Sequence, residues 1–208
     1  MDRKPLDLNP SGKSFFIRFG RLYSDIFSPP SLYAIFAFVV AWSSLPFWQG
    51  TLHAAIFGAL TSLLPLIYLI IQMRRGVLKD IHISTSGQRK IPYILGVGGA
   101  FIAYLVLRFI GTSELFLTFM ISVIIGLAIL GIINSWWLIS AHAASISAVA
   151  TFSGFAYGWR VAVYISPLIL ATVLVRYYLQ RHSIWELLAG VVAGMIVVIG
   201  LAVLGFFN

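Results

Sequence analysis

Seven apolar stretches divide the sequence, at residues 31–48, 53–73, 91–110, 115–137, 141–157, 160–178 and 184–206. About 20 apolar residues in a helix cross a hydrocarbon core of about 30 Å. Inside lipid every backbone N–H and C=O needs an internal partner, so each stretch is predicted to be a helix. The expected fold class is therefore all-α, a polytopic transmembrane helix bundle with about seven spans. The fifth stretch is short and rich in Ala, Ser and Gly (HAASISAVATFSGFAYG). Such residues suit close packing between helices rather than contact with lipid. Small residues recur in the last stretch at Ala189, Gly190, Ala193 and Gly194.

Ahead of the first stretch lies a basic lead, residues 1–28, distinct from a single transmembrane domain over 29–208. In SFFIRFGRLYSDIF, cations alternate with Phe15, Phe16, Ile17, Phe19 and Leu22. That pattern fits a helix lying on the membrane surface; a short solvated tail is the alternative. The lead has no apolar core ahead of a small-residue cleavage site, so it does not read as a cleaved signal peptide. Pro29-Pro30 suits the start of the first span.

Composition sharpens this picture. The chain is 60% hydrophobic and 10% charged over 208 residues, against roughly 25% charged in a soluble domain. With no cysteine, disulfides and thiolate metal sites are excluded. The net charge of +8 gathers at segment ends, where topology and lipid headgroups account for it better than nucleic acid does. If all seven stretches span, residues 74–90, 138–141 and 179–183 share a face with the N-terminus. That face collects twelve of the fourteen Lys and Arg side chains, leaving Arg108 and Arg160 opposite. The positive-inside rule then sets that face in the cytoplasm, with a bacterial inner membrane as the expected location.

Three polar clusters fall on that face. KDIHISTSGQRKIP supplies Lys79, His82, Arg89 and Lys90, with Pro92 suited to the first turn of the next helix. An ordinary basic loop is the competing reading. SWWLISAHAAS places His142 two residues after Ser140 at the start of a span. An ionisable group there is costly and so points to function; a histidine that packs two helices is the alternative. RYYLQRHSIWELLAG carries Arg176, His182 and Glu186. Glu186 follows His182 by four residues, which on a helix places both on one face within hydrogen-bonding reach. A carboxylate beside an imidazole fixes its tautomer and stabilises its charged form, making His182 a candidate nucleophile or base. Alternatively, Glu186 caps its helix. Gln180 and Arg181 read as headgroup contacts. Two histidines, one acid and several guanidinium groups suit phosphate oxygens more than a metal, for which carboxylates and thiolates are too few.

These residues resemble the type 2 phosphatidic acid phosphatase family of integral-membrane lipid phosphatases. Its signatures are Lys-x6-Arg-Pro, Pro-Ser-Gly-His and Ser-Arg-x5-His-x3-Asp. The third matches Val175-Arg176, five residues, His182, three residues and Glu186, with Val for Ser and Glu for Asp. The second matches Ile139-Ser140-Ala141-His142, with Ile and Ala for Pro and Gly. In the first, Lys90-Ile91 separates Arg89 from Pro92, and His82 stands seven residues before Arg89 where the family has lysine. Lys79 lies three residues earlier.

The resemblance implies an active site at one membrane face, with no cofactor and no metal. It makes His182 the nucleophile, Glu186 its orienter and His142 the general acid. Arg89, Arg176 and Ser140, helped by His82 or Lys79, would stabilise the phosphate oxygens. The implied activity is hydrolysis of a lipid phosphomonoester of the phosphatidate or phosphatidylglycerol phosphate class. Prenyl phosphates or diphosphates are alternative substrates. A catalytically silent relative, serving as a structural or lipid-binding subunit, is the alternative function. The expected partners are the bilayer and a lipid phosphate, with a homo-oligomer or membrane complex left open. A small transporter fits less well, since its ionisable residues would lie near the midplane.

Overall fold

The computed structural model describes residues 5–8, 14–78 and 86–207, the side chains of 86–89 excepted. Among the described residues every regular element is a helix. They run α1 (Phe15–Ile26), α2 (Pro29–Ser44), α3 (Phe47–Gly58), a π-helical turn (Ala59–Leu63) and α4 (Leu64–Arg74). Then follow α5 (Ser86–Ile110), α6 (Glu114–Ile133), α7 (Ala141–Tyr157), α8 (Trp159–Tyr178) and α9 (Ile184–Val203). Each of the seven apolar stretches is helical, the second being α3, the π turn and α4 in continuity. Five stretches are long and apolar enough to cross a bilayer, namely Phe47–Arg74, Lys90–Ile110, Glu114–Ile133, Trp159–Tyr178 and Ile184–Val203. Helices α1 and α2 meet the same test only when the pair, bent by 51° at its break, is counted as one span. The protein is thus an integral membrane protein.

The expectation of seven spans is met only in part, for a reason of length. Helix α2 has 16 residues and α7 has 17, or about 24 and 26 Å at 1.5 Å per residue. Both fall short of a core about 30 Å thick. Helix α7 is instead the most enclosed element, with buried residues on all sides from His142 to Gly154. Its small side chains let α9 close on it, as the sequence suggested. A Cβ at Gly194 would collide with the Ala144 carbonyl oxygen and the Ser147 hydroxyl.

Serines start four of these helices. The hydroxyls of Ser28, Ser113, Ser140 and Ser183 each accept from a backbone N–H in the first turn, which satisfies a donor that has no partner within the helix. Pro92 departs from expectation: α5 begins at Ser86, so the proline lies inside the helix. It deprives the Gln88 carbonyl of its usual i+4 donor. The π turn carries a hydrogen bond five residues long, from Leu64 N–H to the Ala59 carbonyl. The backbone of α5 closes on this turn because Gly99 has no side chain to strike the Leu60 carbonyl. The main core joins Phe36, Phe57, Phe116, Phe119 and Phe152 edge to face. Phe152 lies ten residues along α7 from His142, about 15 Å away, so the aromatic core anchors the helix from the end remote from the site.

Candidate functional site

The polar residues of the second and third clusters meet where α7 and α9 begin and α8 ends. The turn between α8 and α9 fixes the last of these. Arg176 occupies the final turn of α8. Gln180 adopts a left-handed backbone, φ 56°, and the Arg181 N–H reaches back to the Arg176 carbonyl at 3.1 Å. The Gln180 N–H reaches the Tyr177 carbonyl at 2.9 Å. This is a Schellman termination, here without the glycine that usually fills it. It reverses the chain within a few residues and sets His182 at the mouth of α9.

The His182 ring is 3% exposed. Its Nδ1 lies 3.0 Å from the Leu138 carbonyl oxygen and 3.4 Å from Glu186 Oε2. Both neighbours accept, so Nδ1 carries the proton and Nε2 keeps the lone pair of the neutral ring. The carboxylate also accepts from the Ser183 N–H at 2.8 Å, while the Ser183 hydroxyl accepts from the Glu186 N–H at 3.3 Å. Glu186 therefore closes a capping box and stands beside His182 at once. The two readings of Glu186 describe one geometry.

His142 presents the opposite nitrogen. Its Nε2 lies 3.1 Å from the Ser24 carbonyl oxygen of α1, so Nε2 carries the proton and donates it there. Ser140, two residues earlier, is fully buried. Its hydroxyl accepts from the Ala143 N–H at 3.3 Å, and its own N–H donates to the Glu186 carbonyl at 3.1 Å. The Ser140 side chain is thus the N-cap of α7, its backbone N–H stitches α7 to α9, and the residue lies off the cavity wall described next.

A cavity of about 580 Å³ brings the set together: His142, Arg176 and His182 all line it. Its long wall is apolar, formed by Leu66, Leu69, Ile70 and Met73 of α4. Pro92, Tyr93 and Gly96 of α5 continue that wall. Such a space suits an amphiphile with an anionic head against the histidines and a hydrocarbon tail along α4. Glu186 stands behind His182, off the wall. Arg89 falls in the first turn of α5, with its side chain outside the described region. Lys79 and His82 lie outside the described residues. Among the described residues, no three His, Cys, Asp or Glu side chains gather into a metal-sized group.

The sequence reading missed the part played by the N-terminal lead. Helix α1 turns Gly20 and Ser24 inward and leaves Phe15, Phe16, Phe19, Leu22 and Ile26 exposed, as a surface helix should. It also forms part of the cavity wall through Arg21 and Asp25. Arg181 is not a headgroup contact. Its side chain is 2% exposed, and its Nε lies 2.7 Å from Oδ1 of the fully buried Asp7. The physical reason is that the Leu6 N–H bonds the Leu179 carbonyl at 3.1 Å, which draws Asp7 over the α8–α9 turn. The one legible signal was the i, i+4 pair Arg21 and Asp25, whose Nε and Oδ1 lie 3.3 Å apart. Compared with protein-family models, characterised proteins and solved structures, the chain matches none.

Proposed function

We propose that the protein is a metal-independent lipid phosphatase of the type 2 phosphatidic acid phosphatase kind. It hydrolyses a phosphomonoester of the phosphatidate or phosphatidylglycerol phosphate class. The observation that supports this reading is that His142, Arg176 and His182 line one cavity with an apolar long wall. In the proposed reaction His182 Nε2 attacks phosphorus and the bond to the lipid oxygen breaks. His142 gives its Nε2 proton to the departing alkoxide. Water then gives a proton back to His142 and attacks the phosphohistidine, breaking the P–N bond, releasing inorganic phosphate and restoring both histidines. The Glu186 carboxylate stabilises the imidazolium that attack creates. Arg176 and Arg89 offset charge on the phosphate oxygens, with Lys79 and His82 as further candidates; stabilisation of this type is often the largest catalytic contribution. Arg21, Arg176 and Arg181 gather at the end of the bundle that holds the cavity, which supports a cytoplasmic site and N-terminus.

The test is phosphate release by detergent-solubilised protein in EDTA, with phosphatidate, phosphatidylglycerol phosphate and farnesyl diphosphate offered in parallel. Turnover should persist in EDTA and vanish in His182→Ala. Glu186→Gln retains an acceptor for the Ser183 N–H, so the helix cap survives while the charge is lost. It should lower turnover by roughly 10²-fold with little change in stability; unchanged turnover would reduce Glu186 to a cap. A second reading, a silent lipid-binding relative, has its own support: His142 donates its Nε2 proton to the Ser24 carbonyl and so withholds it from a leaving group while α1 stays seated. No turnover of any substrate by folded protein would favour that reading.

A further inference from the structure

We propose that Arg21, delivered by the N-terminal helix α1, is an additional anion-binding residue of the cavity, contacting the ligand's phosphate group. The inference rests on the phosphate reading above and extends it to a side chain outside every motif the sequence offers. Arg21 lines the same cavity as His142, Arg176 and His182. A guanidinium matches phosphate oxygens with two parallel N–H donors. With Arg176, which comes from α8, it would approach the same group from a second helix.

Helix α1 is not a loose arm. Gly20 packs on the Leu179 side chain. The Tyr23 hydroxyl bonds Thr172 Oγ1 at 2.9 Å and the Leu168 carbonyl at 3.2 Å, both on α8. The Ser24 carbonyl accepts from His142. Arg21, Ser24 and Asp25 recur at helical spacing, so one face of α1 turns toward the site; Arg21 and Asp25 line the cavity, joined by Ser28 at the start of α2. Two carboxylates orient the guanidinium: Asp25 Oδ1 at 3.3 Å from Nε and Asp7 Oδ2 at 3.5 Å from Nη1. Asp7 holds Arg181 much closer, at 2.7 Å. It therefore serves chiefly as the anchor of the lead and secondarily as the group that positions Arg21. A structural role alone would make Arg21 a counter-ion for the two acids. An anion-binding role requires in addition that oxyanion affinity depend on it.

Orthovanadate, a phosphate mimic, separates the two. Its affinity for purified protein would be measured by thermal shift and by inhibition of turnover in wild type, Arg21→Gln, Arg21→Lys and the exposed-site control Arg18→Gln. We expect Arg21→Gln to weaken vanadate binding and raise KM by roughly ten- to hundredfold, the loss of a charge-assisted hydrogen bond. Arg21→Lys should recover part of that loss, and Arg18→Gln should match wild type. Should Arg21→Gln fail to fold, Arg21→Lys carries the test, because it keeps the charge and loses the paired donors. Vanadate binding by wild type with equal affinity in the Arg21 variants overturns the inference and leaves the phosphatase reading standing. Wild type that neither binds vanadate nor hydrolyses any lipid phosphate overturns both.

Discussion

Replacing Arg181 with methionine asks whether the N-terminal lead is latched from inside the protein. An exposed ion pair contributes about 0–1 kcal/mol. Removing one partner of a buried pair strands the other charge and costs about 3–5 kcal/mol. The Asp7 and Arg181 side chains are 0% and 2% exposed, with 2.7 Å between Nε and Oδ1. The larger figure therefore applies. Arg21 remains 3.5 Å from Asp7 Oδ2 and offsets part of the stranded charge, so we expect the lower end, about 3 kcal/mol. The double variant Asp7→Asn with Arg181→Met removes both charges and should recover most of the loss. The assay is reversible unfolding in mixed detergent and SDS micelles for wild type, both single variants and the double variant. Limited trypsin digestion in native detergent should show faster cutting at Arg18 and Arg21 in the single variants. A loss below about 1 kcal/mol, or a double variant equal to the sum of the singles, would refute the buried latch and return Arg181 to the headgroup layer.

Two further substitutions probe the frame around the site. Gly194→Ala should destabilise the protein by about 1–3 kcal/mol, since the new methyl strikes the α7 backbone at Ala144; Gly200→Ala on the same helix meets nothing within 4 Å and should be neutral or stabilising in the same unfolding assay. Gln180→Gly relieves a left-handed backbone at φ 56° and should raise stability by about 1 kcal/mol, read as an upward shift of the unfolding midpoint.

The sequence carried the helices because each announces itself locally. A run of apolar residues bounded by a serine cap needs no distant partner to be recognised, and small residues mark where α7 and α9 close. The pairing of His182 with Glu186 was legible from its short spacing, although His182 stands ahead of the N-cap and the capping box, rather than a helical turn, brings the carboxylate back to it. What escaped was the contact between distant parts of the chain. Asp7 and Arg181 stand 174 residues apart, and no periodicity links them. Arg181 stands just before a histidine at a segment end and so read as one more cation of the positive face. The π turn was equally hidden, because Ala59–Leu63 interrupts neither the apolar run nor the helix axis in any way composition records. Pro92 misled in the opposite direction: proline favours a first turn, yet α5 starts at Ser86 and absorbs the missing N–H inside the helix.

The latch between Asp7 and Arg181 sets an order of assembly. During synthesis the lead emerges first, and its partner emerges after α8. Until then Asp7 lacks Arg181, and the Leu179 carbonyl that holds the Leu6 N–H is not yet made. The wall that α1 contributes therefore closes late, once the chain has inserted α8 and turned toward α9. Fragments that end before residue 181 would hold every earlier helix and still carry an unlatched lead. The turn that precedes the last helix thus secures a wall whose own residues were made at the beginning.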